Sequence, residues 1–204
     1  MRYENMLRFL VVPFVLGFFP LMTSEPGLPI LSAYCLLFIL FLLFSTICTA
    51  TNKRQRIINE VKDAVSKAVE AKARARVAMN KAINNEDTDS YTQEDFYDGT
   101  YFGEIDENRK LTGCGIICDK VGEYGGQLLG GIPNGYGVYI WKKEHVGSRY
   151  RGQNKHGEPH GYGEGRNAET NEVISGEWQY GAPKKGHFYV EKLKGFPDCE
   201  YEEE

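Results

Sequence analysis

Four side chains of the kinds that bind zinc stand in two pairs of equal spacing. Cys114 and Cys118 are separated by three residues, and so are His156 and His160. Thiolate and imidazole groups at such spacings are typical of structural zinc sites. The two pairs nevertheless belong to different copies of an internal repeat, and Cys114 takes a position that holds tyrosine in two other copies. Core and turn positions explain these residues better, so we expect no metal site.

Gly-x-Gly sequences raise the question of a phosphate-binding loop. They occur at 113–115, 135–137 and 161–163, but no helical pattern follows them and the chain has no Gly-Lys-Ser/Thr. A phosphate-binding loop needs both features. No spacing of nucleophile, base and acid supports a catalytic triad either. The sequence therefore predicts no catalytic residues, no bound cofactor and no enzyme activity.

The same glycines belong to a regular repeat. Tyr-x-Gly recurs at 101–103, 124–126 and 150–152, with a weaker copy, Ile-Ser-Gly, at 174–176. Each copy is followed by Gly-x-Gly or, in the last unit, by a degenerate Gly-His-Phe at 186–188. Within each of the four units, the first residue of the Tyr-x-Gly motif and the first glycine of the following Gly-x-Gly motif are 12, 11, 11 and 12 residues apart. Such constant spacing indicates an array of stacked structural units.

Each unit has the pattern of a β-hairpin, with a first strand, a polar turn and a second strand that is apolar or aromatic. Alternation along the second strand places residues 135, 137, 139 and 141 on one face and 136, 138 and 140 on the other. Glycine weakens a strand unless something approaches its backbone closely. We therefore expect an aromatic ring of a neighbouring unit to lie over these glycines.

The segments that return from one unit to the next vary in length. Residues 142–149 and 166–173 are polar and lengthen two of these connections. Loops of this kind often carry binding residues. We expect partner contacts at Lys142, Lys143, Arg149 and Arg151.

The repeat resembles the MORN repeat, in which Tyr-x-Gly is followed by Gly-x-Gly and then by Gly-x-x-Tyr at the start of the next unit. Gly147-Ser148-Arg149-Tyr150 fits that link, and Gly122-Glu123-Tyr124 is one residue short. The resemblance covers about residues 97–190. It implies an elongated, twisted, mainly β array of successive antiparallel hairpins. It also implies an interaction or membrane-associated module without an active site.

Residues 1–52 have the composition of a membrane anchor. The uncharged segment 29–50 would span about 33 Å as a helix, which matches a bilayer core of about 30 Å. Residues 9–22 are apolar but short and contain two prolines, so a second span, a re-entrant segment and a cleaved signal peptide remain alternatives. Lys53, Arg54 and Arg56 follow the long span, which predicts that the repeats lie on the cytosolic or equivalent side.

Residues 53–84 predict a basic helix, with nine Lys or Arg and three Asp or Glu. Apolar residues recur at alternating spacings of three and four, which is a heptad pattern with Lys72 as its one charged position. Its members are Ile58, Val61, Val65, Ala68, Lys72, Ala75, Met79 and Ala82. The helix could be a solvated stalk, could contact anionic lipid headgroups through Lys53, Arg54 and Arg56, or could self-associate as a coiled coil through 58–82.

The remaining segments are acidic, namely a linker at 85–96 and a tail at 191–204. The repeat region is almost neutral, so we expect no nucleic-acid partner. Together these features predict an integral membrane protein whose cytosolic repeat sheet serves as a non-enzymatic scaffold. Its partner would be another protein or an apposed membrane. The alternative is an accessory structural subunit of a larger membrane complex.

Overall fold

A computed structural model describes residues 28–96, 98–143 and 145–192, with side chains of the first helix described from Cys35 onward. The chain divides into two compact units, residues 1–52 and 53–204. Helix α1 is Leu28–Ile83. The strands that follow are β1 (Tyr91–Phe96), β2 (Gly99–Ile105), β3 (Leu111–Asp119), β4 (Gly122–Leu129), β5 (Ile132–Trp141), β6 (Arg149–Lys155), β7 (Glu158–Arg166), β8 (Glu172–Gln179) and β9 (Ala182–Lys192).

The described strands form one antiparallel sheet in the order of the sequence, β1 to β9. The predicted array of successive hairpins is thereby confirmed. The four predicted units are β2–β3, β4–β5, β6–β7 and β8–β9. Because every strand reverses direction, the turns within units lie along one side of the sheet, the tip edge. The connections between units, including 142–148 and 167–171, lie along the other, the return-loop edge.

The sheet has one strand more than the repeat predicts. β1 lies inside segment 85–96, which the sequence analysis assigned to a linker, and it pairs with β2 from Tyr91↔Glu104 to Phe96↔Gly99. Thr100 donates a hydrogen bond to Asp95 over 2.8 Å, and Lys81 of α1 lies 4.6 Å from the Tyr91 ring centre. These contacts fix an edge strand whose acidic composition resembles a linker, and charged residues also protect a strand edge against aggregation.

The apolar part of α1 within residues 1–52 is exposed along its described length. Nine large side chains between Leu36 and Ile47 are 45–63 % exposed. The helix is long and apolar enough to cross a membrane. The first predicted span is thus helical, whereas the possible second span at 9–22 lies outside the described residues.

The basic part of α1 buries a narrow stripe against the sheet. Its buried residues are Ile57, Val61, Ala64, Ala68, Ala71, Ala75, Ala78 and Ala82. The buried residues recur at alternating spacings of three and four, as predicted. Four of the eight predicted positions, however, lie one residue C-terminal to the residue that is buried. Alanines occupy the centre because only a small side chain lets a helix approach a sheet closely. The larger Ile58, Val65, Lys72 and Met79 lie half-buried beside the stripe. The heptad positions Val61, Ala68, Ala75 and Ala82 therefore already pack within the chain.

Contacts along α1 show that the helix crosses the sheet from β9 to β1. The pairs, in helix order, are Arg54 with Tyr189 of β9, Lys67 with Tyr136 of β5, Lys72 with Glu123 of β4, Ala75 with Cys114 and Ile116 of β3, and Lys81 with Tyr91 of β1. Seven helical residues rise about 10.5 Å, and two strands occupy about 9.6 Å. One heptad of α1 therefore matches one hairpin of the sheet.

The sheet has two chemically different sides. Strand positions that contact α1, including Cys114, Ile116 and Glu123, form what we term the helix face. The opposite side, the tyrosine face, carries Tyr101 and Tyr124 in a buried cluster with Ile105, Leu111 and Leu128. Tyr150 continues this row and is also almost fully buried. The predicted alternation of residues 135–141 is confirmed, since Tyr136 contacts α1 and Tyr139 packs on the tyrosine-face cluster.

Enlarging an alanine of the stripe should separate helix from sheet. Ala75 is fully buried against Cys114 and Ile116, so Ala75→Leu should lower the free energy of unfolding by about 1–3 kcal/mol through overpacking. The matched change Ala73→Leu falls on an exposed position and should cost less than about 0.5 kcal/mol. Urea unfolding of the micelle-solubilised chain, followed by circular dichroism, measures both. Equal costs would contradict the described helix–sheet interface.

Candidate functional site: an aromatic groove

The residues that suggested a zinc site are placed apart by the fold. Cys114 packs against Ala75 and Ile116 on the helix face, with Cys118 beside them. Burial raises the pKa of both thiols. His156 lies in the turn between β6 and β7, and His160 packs edge-on against Tyr180. Within the described ranges, no group of three His, Cys, Asp or Glu side chains could hold a metal ion.

Three tyrosines fasten the tyrosine face in the same way. The hydroxyls of Tyr101, Tyr124 and Tyr150 donate to the backbone carbonyl three residues later, over 2.7–2.8 Å. The acceptor residues are Glu104, Gln127 and Gln153, and the strand pairing is irregular at each of them. The irregular pairing removes each of these backbone carbonyls from the hydrogen-bonded ladder between the strands. Buried polar groups need partners, and the tyrosine hydroxyl provides one.

The side chains of these acceptor residues complete the arrangement. A carboxylate or amide oxygen of Glu104, Gln127 or Gln153 accepts a hydrogen bond from the middle residue of the following Gly-x-Gly, over 2.7–2.8 Å. The repeat motif is therefore Tyr-x-Gly-Glu/Gln, and the fourth unit, Ile174-Ser175-Gly176-Glu177, keeps its glycine and its Glu/Gln position but not its tyrosine. The sequence analysis missed this position, although its four residues are all Glu or Gln and could have shown it.

The second glycine of Gly-x-Gly makes room for the tyrosine ring. A Cβ atom on Gly163 would overlap the ring of Tyr150, and the same holds for Gly137 beneath Tyr124. The expectation that rings lie over bare backbone is confirmed. The ring comes from the first strand of the same unit, however, and not from a neighbouring unit.

The repeat breaks between its third and fourth units. Ile174 stands where the other units have tyrosine, and its partner on β7 is Gly165, where the earlier pairs have Ile117 or Tyr139. One aromatic ring is thus replaced by a smaller side chain, and its partner side chain is missing altogether, at one place on the tyrosine face. Trp178 takes part of the space: it packs over Gly165 and meets the Tyr150 ring edge-on at 5.1 Å. Its indole N–H donates to the Gly163 carbonyl over 3.1 Å.

The rest of the space is an open groove of about 250 Å³, which we term the aromatic groove. Its aromatic walls are Trp141, Tyr150 and Trp178. It extends from Pro159, near the start of β7, to Arg166 and Asn167 at the end of that strand. The groove therefore follows a strand from the tip edge to the return-loop edge.

The two long return loops form one rim of the groove. His145 and Ser148 of loop 142–148 and Asn167 of loop 167–171 all line it. The Ser148 hydroxyl accepts a hydrogen bond from the Ala168 N–H over 3.0 Å, which ties the loops together. The variable segments picked out by the sequence thus meet at one site.

The predicted partner residues divide between loop and strand. Lys142 and Lys143 lie exposed in loop 142–148. Arg149 and Arg151 instead lie in β6, and Arg151 forms an ion pair with Glu164 of β7. Arg149 stands directly opposite Arg166, next to the tyrosine-face pair Tyr150↔Gly165, so both arginine side chains belong to the helix face although the two residues border the groove. Arg166 reaches Asn171 of the second return loop over 3.3 Å.

The predicted lipid contacts lie at the start of the second unit. Lys53, Arg54 and Arg56 are all exposed. The Arg54 guanidinium lies 5.1 Å from the ring centre of Tyr189. A cation in this position is attracted to the aromatic face, so Arg54 is partly oriented by β9 while Lys53 and Arg56 remain on the surface.

Comparison with known proteins adds no family to this description. No protein-family model matches the chain, and no curated protein matches it either.

The buried tyrosine row makes stability sensitive to alkaline pH. Burial raises the pKa of Tyr101, Tyr124 and Tyr150 above the ordinary value of about 10. Each of these tyrosines has a higher pKa in the folded chain than in the unfolded chain, so the unfolded chain loses these protons first as the pH rises. The free energy of unfolding is therefore unaffected below a pH of about 10 and decreases above it. The free energy of unfolding should fall by up to about 1.4 kcal/mol per pH unit for each tyrosine.

Urea titrations between pH 7 and 12 measure this slope. Tyr150→Phe should make it shallower, because one buried hydroxyl is gone. Tyr180→Phe removes a hydroxyl from a ring that is 76 % exposed and should leave the slope as it is. A slope that Tyr150→Phe does not change would show that the row does not control alkaline unfolding.

Proposed function

We propose that this protein is a membrane-anchored, non-enzymatic scaffold whose aromatic groove binds an extended segment of a protein partner. The observation that carries the proposal is the break in the repeat, where Ile174 and Gly165 replace larger residues and open the groove. Trp141 and Trp178, the chain's two tryptophans, both line it. Tryptophan and tyrosine contribute strongly to binding energy at protein interfaces.

The dimensions of the groove favour an extended partner segment. Its volume of about 250 Å³ lies below the range typical of drug-sized ligand pockets, so it suits one or two side chains. Its course along β7 suits a peptide that lies parallel to the strands. His145, Ser148 and Asn167 at the return-loop end provide polar groups that would fix the direction of such a segment.

An apposed membrane is a less suitable occupant for this surface. Anionic lipid is attracted by clusters of lysine and arginine, whereas Arg151 is already paired with Glu164 and the repeat region is nearly neutral. We assign the membrane contact to the N-terminal part of the chain instead. Its exposed apolar helix would cross the bilayer, and Lys53, Arg54 and Arg56 would meet anionic headgroups on the cytosolic side.

The resemblance to MORN repeats supports the same interpretation. The tyrosine and glycine positions that carry the resemblance also build the sheet, through the hydroxyl bonds and the ring-over-glycine contacts. We propose that the chain is a MORN-repeat protein on this basis. Under this proposal, the tyrosines and glycines that build the sheet are shared with that family, whereas the groove arises where this chain departs from the repeat pattern.

A second function is favoured by apolar side chains at the tip edge. Leu129 and Ile132, which flank one hairpin turn, and Tyr180, which lies in another, are 64 %, 50 % and 76 % exposed. Exposed apolar groups mark interaction sites when they cluster. Under this alternative the protein is an accessory subunit that packs its hairpin tips against another subunit, and the groove has no role in assembly.

Paired isoleucine-to-tyrosine changes distinguish the two functions. Ile174→Tyr would fill the groove, and Ile132→Tyr would alter the tip edge without touching it. The tagged full chain, cross-linked in native membranes and purified, should recover at least about tenfold less of the groove partner when Ile174 is changed, since losing one buried anchor costs about 2 kcal/mol. Quantitative mass spectrometry measures the recovery, and a thermal melt checks that each variant folds.

The opposite pattern, in which only Ile132→Tyr lowers recovery, would favour the subunit function and contradict the groove. Trp141→Ala provides a second groove variant should Ile174→Tyr melt at a lower temperature than the unchanged chain. It removes a half-buried side chain from the groove wall rather than adding one.

The headgroup contact has a separate test in lipid nanodiscs. Replacing Lys53, Arg54 and Arg56 together by glutamine should abolish the rise in melting temperature that anionic lipid gives over zwitterionic lipid. Each cation near such a surface is worth about 1 kcal/mol. Replacing Lys142 and Lys143 by glutamine is the control and should preserve the rise. A rise that depends on Lys142 and Lys143 instead would place the contact on the return loop.

A further inference from the structure

A buried asparagine interrupts the core of the tyrosine face in the third unit. The position four residues after the start of each Tyr-x-Gly motif is Ile105 in the first unit and Leu128 in the second, and both are buried in the tyrosine-face cluster. The third unit has Asn154 at this position, and the fourth has Trp178. From the second unit onward, the residue at this position stands opposite a proline, namely Pro133, Pro159 or Pro183. The third unit therefore buries an amide where the first two bury an aliphatic side chain.

The amide of Asn154 is incompletely hydrogen-bonded. The residue is 7 % exposed, and its Nδ2 donates to the Gly152 carbonyl over 3.3 Å. Within the part of the chain that the structure describes, no group donates to its Oδ1. Burying a polar group without its hydrogen bonds is costly. The Asn154 oxygen is therefore available to accept a hydrogen bond from a bound group.

Asn154 lines a second cavity of about 240 Å³, which we term the asparagine pocket. Three rings form its walls, those of Tyr124, Tyr139 and Trp141. The other described residues around it are Pro133, Gly157 and Pro159, so that no described residue of the lining is charged. Trp141 and Pro159 also line the aromatic groove. The asparagine pocket therefore adjoins the groove, and its volume suits one further side chain.

The lining of the asparagine pocket favours a neutral group that both donates and accepts hydrogen bonds. A charged side chain would lose its hydration without meeting a counter-ion. An apolar side chain would leave the Asn154 oxygen unpaired. A primary amide avoids both costs, because its flat body can pack between rings while it donates to Oδ1 and accepts from the second N–H of Nδ2. In proteins, this group belongs to asparagine and glutamine.

We propose that the asparagine pocket binds the side-chain amide of an asparagine or glutamine in the partner segment, next to the residue that fills the aromatic groove. Asn154 recognises the amide, and Trp141 contacts both residues of the partner. The identity of the ligand as a partner segment rests on the proposed function. Recognition of an amide can be tested without any partner, which keeps the two ideas separately testable.

Propionamide is a suitable probe, and methyl propionate is its matched control because the ester has nearly the same size but no N–H group. In the full chain, labelled with ¹⁵N in detergent micelles, the side-chain NH₂ signal of Asn154 is identified by its loss in Asn154→Leu. Propionamide should shift this signal saturably, and methyl propionate should not. Asn108, exposed in the turn of the first unit, should keep its signal unchanged. Equal shifts with both compounds, or no shift at Asn154, would overturn the proposal.

Recovery of the cross-linked partner from native membranes provides the second test. Asn154→Leu installs the residue of the second unit and should raise the melting temperature, because an apolar side chain replaces an incompletely paired amide. The same change should lower recovery of the groove partner about tenfold, since two hydrogen bonds are lost. Asn108→Leu should alter neither quantity. Should the leucine variant melt at a lower temperature than the unchanged chain, Asn154→Ala removes the amide without adding volume and should lower recovery equally.

The two proposals fail in different ways. If Ile174→Tyr lowers recovery while both Asn154 variants leave it unchanged, the groove binds the partner and the amide recognition proposed here is wrong. If propionamide shifts the Asn154 signal while Ile174→Tyr and the Asn154 variants all leave recovery unchanged, the pocket recognises an amide and the proposed function of the groove is contradicted.

Discussion

The match between a helical heptad and a β-hairpin is the constraint on which the rest of the folded unit depends. The basic part of α1 crosses strands β9 to β1, and each seven-residue step advances by about two strands. Small side chains are required at the crossing points, and alanine fills six of the eight buried positions. A repeat of any other width would move successive hairpins off this stripe, so helix and sheet limit each other's periodicity.

Once the helix covers one face, the other face must be closed by the sheet itself. The tyrosine row achieves this with a ring that lies over glycine and a hydroxyl that satisfies a displaced carbonyl. Both parts require specific residues at a fixed separation, which explains the constant spacing between the two motifs. Ion pairs add local order on the helix face, as between Lys72 and Glu123 over 2.9 Å.

The groove arises because the fourth unit does not follow these rules. With Ile174 opposite Gly165, the row loses a ring and the neighbouring strand loses the side chain that would cover it. Trp178 replaces one hydrogen bond and part of the volume. A regular array would have a closed tyrosine face, so the departure from the repeat, rather than the repeat, gives this sheet a surface suited to a ligand.

The sequence by itself determined the hairpin array, the apolar helix and the return loops, because turn residues, hydrophobic runs and repeat spacing are local properties. It also predicted the period of the basic helix, since a heptad is visible without a partner. The tertiary structure decided which alanines are buried, added β1 from an acidic segment, and moved Arg149 and Arg151 from loop to strand. It also decided the groove, which depends on side chains that meet only across β5 to β8. Contacts between strands are not encoded in any single segment, and for that reason only the folded chain shows them.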